Sequence, residues 1–313
     1  MNSIKNVCDF LLSRDNFLII MHDSPDGDTV GSGYGLCRAL RNIGKSADCV
    51  CGDIIPDKYS YMTAGCEPMC KQYDCILTVD VADIRLIREY GKRYEGKIEL
   101  CIDHHGTNTN YAKHTYVCSD AAASCEIIFD IVLGLRCDLT ADIAKCLYTG
   151  ISTDTGCFRY SNVTPNTHIV AAALMKTGID TAFINRIMFE TKSFEQIKVE
   201  NMAIDGMDLL FDGKCAVIVL TKEMQAIAPE DDLEGIKAIT RQIKGVQIGV
   251  TMREKDDGTY KVSVRSNPPY SASDICSALG GGGHMYAAGC EIALPLNEAK
   301  AKIIQTVREV SKL

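Results

Sequence analysis

Three short apolar runs, Phe17-Leu18-Ile19-Ile20, Cys75-Ile76-Leu77-Thr78-Val79 and residues 98–102, each break off into a cluster of aspartates or of Asp and His. Runs this short and this rich in β-branched side chains predict buried strands. The segments between them read as helices, with one further strand over residues 46–51 and a loop holding Pro56 and Pro68, and strands alternating with helices imply an α/β fold around a parallel sheet. Parallel strands end along one edge, where such sheets place their ligands. The three polar clusters are therefore expected to meet.

The first cluster lies in Met21-His22-Asp23-Ser24-Pro25-Asp26-Gly27-Asp28-Thr29-Val30-Gly31-Ser32. His22, Asp26 and Asp28 put three hard-metal ligands within seven residues. Pro25 stiffens the turn, and Gly27 lets the backbone approach what is bound. Asp28 could instead cap the small-residue helix read over residues 30–40. Capping asks for one such residue, not three. The second and third runs end in Asp80 and in Asp103-His104-His105, and Asp154 follows a later helix. Singly, each suits a turn or a cap. Together, Asp26, Asp28, Asp80, Asp154, His22 and His104 form a ligand set for two divalent cations bridged by a carboxylate and a water. Mixed carboxylate and imidazole donors suit Mn²⁺, with Mg²⁺, Fe²⁺ or Co²⁺ also accommodated. Four carboxylates against two dications leave a roughly neutral site that accepts an anion, and two-metal centres serve attack on phosphoryl groups.

A chain of 313 residues has room for two cores. Residues 1–185 are expected to form the metal-binding domain, 186–212 a helical linker, and 213–313 a second, smaller α/β domain with a mixed sheet. Helices are read over residues 5–13, 121–133, 140–153 and 165–176, with one long polar helix over about 185–207. Strands follow over 215–220, 246–253 and 260–265, then a helix over 273–279, the run Gly280-Gly281-Gly282-Gly283-His284, and a terminal helix over 297–310. The net charge of −8 argues against a protein that coats long nucleic acid. Residues 213–313 carry 13 Lys/Arg against 12 Asp/Glu, so the first 212 carry 20 against 29, and the acidic part holds the carboxylates. No apolar run reaches the ~18 residues of a membrane span, and Asp9, Arg14 and Asp15 interrupt the one greasy N-terminal segment. A cytoplasmic protein with no membrane partner is expected. Sixteen cysteines without a C-x-x-C pair read as small buried hydrophobes in a reducing compartment. Cys49, Cys51, Cys66 and Cys70 match no common zinc spacing.

These motifs, in this order, resemble the DHH phosphoesterases in the branch that carries a DHHA1 domain. The matching residues are His22-x₃-Asp26-x-Asp28, Asp80, Asp103-His104-His105, Asp154 in Thr-Asp-Thr-Gly, and Gly-Gly-Gly-Gly-His284-x-x-Ala-Ala-Gly. The match spans nearly the whole chain and looks most like the stand-alone NrnA-like members, which degrade very short oligonucleotides and often dephosphorylate pAp. The resemblance implies that His22, Asp26 and Asp80 hold one metal, and Asp28, Asp80, His104 and Asp154 the other. It implies that Asp103 orients its neighbours and that His105 faces the scissile phosphate as acid or charge stabiliser. Asn108 and Arg159 would bind phosphate or leaving group. Arg265, Ser266, Gly282, Gly283 and His284 would hold substrate phosphate from the second domain. Asn267 stands where relatives usually carry Lys. Alternatives are a soluble phosphodiesterase for cyclic di-AMP or pApA, a non-catalytic nucleotide sensor, and a thiol-rich redox or zinc-storage protein. A homodimer is compatible with all of these.

Overall fold

The computed structural model describes residues 1–229 and 233–313, and the chain divides into two compact units, Met1–Thr191 and Lys192–Leu313. The first begins with α1 (Ile4–Leu12), β1 (Phe17–Ile20), α2 (Gly27–Asn42), β2 (Ala47–Val50), the single turn α3 (Ser60–Thr63) and β3 (Cys75–Val79). It continues with α4 (Arg88–Arg93), β4 (Leu100–Asp103), β5 (His114–Val117), α5 (Ser124–Gly134), α6 (Ala141–Asp154), α7 (Pro165–Met175) and α8 (Thr181–Asn185). The sheet is wholly parallel, in the order β2-β1-β3-β4-β5. Strand residues alternate between faces. Phe17, Ile19 and Leu77 join the large core with α1, α2, α5 and α6, while Leu18, Ile20 and Ile76 pack on Val81, Ile87 and Ile98. Covering both faces explains why these strands read as continuous apolar runs. Because the order reverses at β1, the edge beside its carboxyl end is a switch point.

β5 escaped the sequence reading, since His-Thr-Tyr-Val is a half-exposed edge strand with little apolar signal. The long helix expected over 185–207 is also corrected. α8 runs into a π-helical turn over Arg186–Glu190, the chain extends, and α9 (Phe194–Asp205) starts afresh. Ser193 ends the continuity, because its side chain accepts from Gln196 N at 2.9 Å as an N-cap.

The second unit adds β6 (Asp208–Leu210), β7 (Cys215–Leu220), α10 (Lys222–Gln225), a 3₁₀ segment over Glu234–Gln242, β8 (Ile248–Glu254) and β9 (Tyr260–Ser266). It ends with α11 (Ala272–Ser277), β10 (Gly282–His284), β11 (Ala287–Ile292) and α12 (Leu296–Ser311). Its mixed sheet has the order β10-β11-β9-β8-β7-β6, with only β7 and β8 parallel. α11 and α12 cover one face, where Val250, Val262 and Val264 meet Ile275, Ile303 and Val307. α9 and the 3₁₀ segment cover the other, where Ile218 and Leu220 meet Val199, Ala203 and Ile236. Among the described residues no helix is long and apolar enough to cross a membrane.

The closest helix packing in the first unit is between α2 and α6. A Cβ on Gly31 would stand 2.4 Å from Cys146 O, and one on Gly150 would stand 2.3 Å from Cys125 Sγ and 2.7 Å from Asp28 Oδ1. Missing side chains thus let the helix bearing Asp28 lie against the helix ending in Asp154. Gly31→Ala is expected to destabilise by about 1–3 kcal/mol, since the obstacle is a backbone carbonyl. Thermal unfolding should read this as a Tm lower by about 2–10 °C; an unchanged Tm would contradict the packing.

Candidate metal centre

Each ligand-bearing side chain is aimed by a specific local device. Asp26 is the N-cap of α2, and its Oδ1 accepts from Asp28 N and Thr29 N, both at 3.0 Å. Asp26 rather than Asp28 therefore does the capping, which leaves Asp28 to point inward from the first turn. Asp28 is fully buried, with Oδ2 accepting from Ser124 N at 2.6 Å and Oδ1 from Cys125 N at 2.9 Å. Those amides open α5, where the helix dipole favours an anion. Asp80 follows β3 with φ +59° and accepts from Ser124 Oγ at 3.0 Å. Ser124, which serves two carboxylates, is the functional residue that the sequence reading missed. Its signal was only a serine at a helix start, in a helix read three residues too early.

The two histidines are fixed by main-chain carbonyls. His22 Nδ1 lies 2.8 Å from Asp23 O, and His104 Nδ1 lies 3.2 Å from Ala121 O. Each Nδ1 therefore carries the proton and each Nε2 offers a lone pair. His22 Nε2 faces Asp26 at 3.7 Å and Asp80 at 3.6 Å. His104 Nε2 faces Asp28 at 3.9 Å, Asp80 at 3.6 Å and Asp154 at 3.5 Å. These gaps are too long for hydrogen bonds. They are spaced as donor atoms turned toward a shared centre, and His104 Nε2 is buried with no hydrogen-bond partner.

Two groups of three result, His22-Asp26-Asp80 and Asp28-His104-Asp154, with the ligand atoms in each within 4.8 Å of one another. Asp80 and His104 also form a third such group with His105. The six side chains named from the sequence meet at the carboxyl ends of β1 and β3, the start of α2, the segment after β4 and the end of α6. Electrostatics states the same need. Burial, helped by the charge of Asp80, pushes Asp28 up to about 7. Burial and then Asp28, Asp26 and Asp80 push Asp154 well above the carboxylate range. Burial opposes charge on His22, yet Asp26 and Asp80 push it up to about 11. Lacking a cation, the cluster would gather protons in its place. The donor set of oxygens and imidazoles fits hard or borderline dications.

Asp103 is not among these groups. Its Oδ1 accepts from His104 N and from His105 Nδ1, both at 2.8 Å, and its Oδ2 accepts from Asn108 Nδ2 at 2.7 Å. Burial would raise it, but His105 and Asn108 outweigh that and hold it below the usual carboxylate range. In return Asp103 raises His105 to about 9 against its burial. The His105 side chain is 40% exposed, so its imidazolium can reach a ligand.

The expected phosphate contacts divide. Asn108 is hydrogen-bonded to Asp103, Val81 O and Asn110 N, so its amide braces Asp103. Arg159 Nε donates to Gly156 O and its guanidinium lies 5.9 Å from the Phe189 ring, so these contacts do not bring it to the cluster. Ser266 is buried, donating to Tyr270 O at 3.0 Å and accepting from Ala272 N at 2.9 Å, which makes it a turn-former with no hydroxyl to spare. Arg265 and His284 are both opposite Ala287, on either side of β11. Directly opposed residues share a face, so the two project together with one methyl between them. The glycine run is a strand edge rather than an open loop. Gly283, at φ +148° with a Cβ position 2.6 Å from Ala288 Cα, admits no other residue, while Gly282 faces open space.

Comparison with known proteins agrees with this layout. The DHH family N-terminal domain matches residues 16–151, and the DHHA1 domain matches residues 212–312. The chain is 33% identical to the bifunctional oligoribonuclease and PAP phosphatase NrnA of Thermus thermophilus, over 93% of this chain and 89% of that one. It is 28% identical to the probable bifunctional oligoribonuclease and PAP phosphatase NrnA of Streptococcus mutans, over 92% and 93%. An exopolyphosphatase-related protein from Bacteroides fragilis superposes with a TM-score of 0.89 at 25% identity, covering 98% of this chain and 95% of that one.

Without cations, folded Asp28 keeps its proton to about pH 7, whereas an unfolded Asp loses it near 3.9. Stability then falls as pH rises from about 4 to about 7, and His22, held to about 11 against an unfolded value of about 6.5, extends the fall. Dications replace these protons. The rise in Tm when Mn²⁺ is added to chelated protein is therefore expected to be larger at pH 8 than at pH 5; equal rises would contradict a cation cage.

Proposed function

The chain belongs to the DHH family of phosphoesterases, with a DHHA1 domain at its C-terminal end, and from that premise we propose that it hydrolyses the terminal phosphoesters of very short oligonucleotides and of pAp. The observation that carries this reading is the meeting of His22, Asp26 and Asp80 in one group and of Asp28, His104 and Asp154 in another, with Asp80 facing both imidazoles and His104 Nε2 buried without a partner. The names of the relatives in Thermus and Streptococcus support the substrate class.

We assign His22, Asp26 and Asp80 to one dication and Asp28, Asp80, His104 and Asp154 to the other, with Mn²⁺ favoured by the donor set. When bound, such a pair lowers the pKa of water and offsets phosphoryl charge. The protein's own groups do the remaining work. Asp23 O and Ala121 O hold the imidazole tautomers, and the start of α5 holds Asp28 rigid. Asp103 accepts a hydrogen bond from His105 Nδ1, so His105 Nε2–H is left to donate to the leaving oxygen or to a phosphoryl oxygen. Asn108 keeps Asp103 from swinging. In the second unit Arg265, His284 and the open backbone at Gly282 form the anion contacts. The absence of Trp and the overall charge of −8 favour a grip on a few nucleotides rather than a long strand.

A panel of pAp, pApA, pGpG, cyclic di-AMP and 2- to 5-mers under Mn²⁺, read as initial rates, tests the proposal. AMP and phosphate from pAp, and shortening of the oligomers, are expected; turnover of cyclic di-AMP alone would overturn it. Asp80→Ala should abolish turnover with the fold retained by circular dichroism. His105→Ala should lower kcat by about 10²–10⁴ while Mn²⁺ binding by calorimetry persists. Because Asp103 holds the proton on His105 beyond the ordinary imidazole range, kcat should decline as alkaline pH removes it, and the decline should vanish in the His105 variant.

A further inference from the structure

Sixteen cysteines find no use in the metal chemistry, and all are free thiols. Ten are buried, but Cys37 and Cys66 lie together, one buried and one partly exposed, in a setting built for reactivity. Cys37, on the buried face of α2, has its Sγ 3.2 Å from Ala47 O and belongs to the core cluster against which Cys66 packs, the two thiols side by side. Cys66 is partly exposed, in the loop after α3, just past the left-handed turn at Gly65. Two arginines one helical turn apart tie that loop to α2. Arg38 Nη2 donates to Met62 O at 2.9 Å and to Ala64 O at 2.5 Å, and Arg41 Nη2 donates to Glu67 O at 2.9 Å. Cys66 is thus bracketed by two guanidiniums, with a second thiol beneath it and Glu67 as the opposing charge.

We propose that Cys66 and Cys37 form an oxidant-reactive dithiol, in which Cys66 reacts with a hydroperoxide and Cys37 closes a disulfide. The Cys66 thiolate attacks the peroxide O–O bond, which breaks to give a sulfenic acid on Cys66 and a hydroxide that is protonated to water. Cys37 sulfur then displaces hydroxide from that sulfenic acid, and the hydroxide leaves as water with the Cys37 proton. Two thiols lose two electrons and one hydrogen peroxide becomes two waters. The local charge suits each role. Hydrogen bonding from Cys37, then Arg38 and Arg41, outweigh burial and lower Cys66 to about 6, while Cys66 and burial push Cys37 up. Glu67 acts against the first shift, and Cys49 adds to the second. A thiolate that is partly exposed and a protonated thiol shielded behind it are the attacking and resolving partners such chemistry requires. Cys276 and Cys290 also touch, but both are buried, so they should stay reduced in the folded protein.

Iodoacetamide labelling of the native, metal-loaded protein at pH 6, mapped by peptide mass spectrometry, is expected to modify Cys66 roughly tenfold faster than the partly exposed Cys118 and Cys157. The lowered thiol gains thiolate, an advantage offset in part by its lower nucleophilicity. Stoichiometric hydrogen peroxide should yield a Cys37–Cys66 linked peptide, reversed by dithiothreitol. Cys37→Ser should leave a Cys66 sulfenic acid that dimedone traps. Absence of the linked peptide from the wild-type protein, or labelling of Cys66 no faster than Cys118 and Cys157, overturns the proposal without recourse to any variant.

Discussion

Like charges cannot be buried together without a counter-charge, and the first unit is arranged around that constraint. Asp28 and Asp80 are nearly inaccessible, and Asp154 lies beside them. Amide groups at the start of α5 and the hydroxyl of Ser124 stabilise two of these carboxylates, but hydrogen bonds from neutral donors do not cancel several negative charges. The sheet brings the groups together because its strands are parallel and end on one side. The helices supply what the sheet cannot, a dipole facing Asp28 and a close crossing that draws Asp154 inward. Folding and cation chemistry therefore make opposite demands on the same few residues.

Much of this could be read from the chain before any coordinates, for a physical reason. Strands buried on both faces are continuous apolar runs, and ligand residues must follow such strands at once, so Phe17–Ile20 followed by His22 and Cys75–Val79 followed by Asp80 are unambiguous patterns. What escaped was held by interactions that leave little trace in residue type. The run Gly280 to Gly283 has no strand propensity, and β10 exists because β11 pairs with it. Ser266, Asn108 and Arg159 are polar residues near motifs, yet their hydrogen bonds go to turns, to Asp103 and to a carbonyl. Residue identity announces that a group can meet an anion; only packing says whether it has already been committed elsewhere.

The two units also divide labour by charge and by secondary structure. The acidic first unit presents carboxylates and imidazoles from loops at the end of a rigid sheet. The near-neutral second unit presents Arg265 and His284 from the two strands that flank β11, where cross-strand register rather than loop conformation sets their spacing. A slip of one residue in either of those strands would send its side chain to the opposite face and part the two. The obligatory glycine at 283 belongs to that registration as much as to any ligand.

The aim of the two metal-facing imidazoles is entrusted to the carbonyls of Asp23 and Ala121, which every amino acid possesses. Replacing either residue leaves that acceptor in place, even at Asp23, where the side chain has an ion pair with Arg88 of its own to lose. Changes in length are another matter. Inserting or deleting one residue in 22–25 or 118–123 would shift the carbonyl and rotate the imidazole with it. The length of each segment, more than the side chain that happens to carry the carbonyl, decides where the imidazole points.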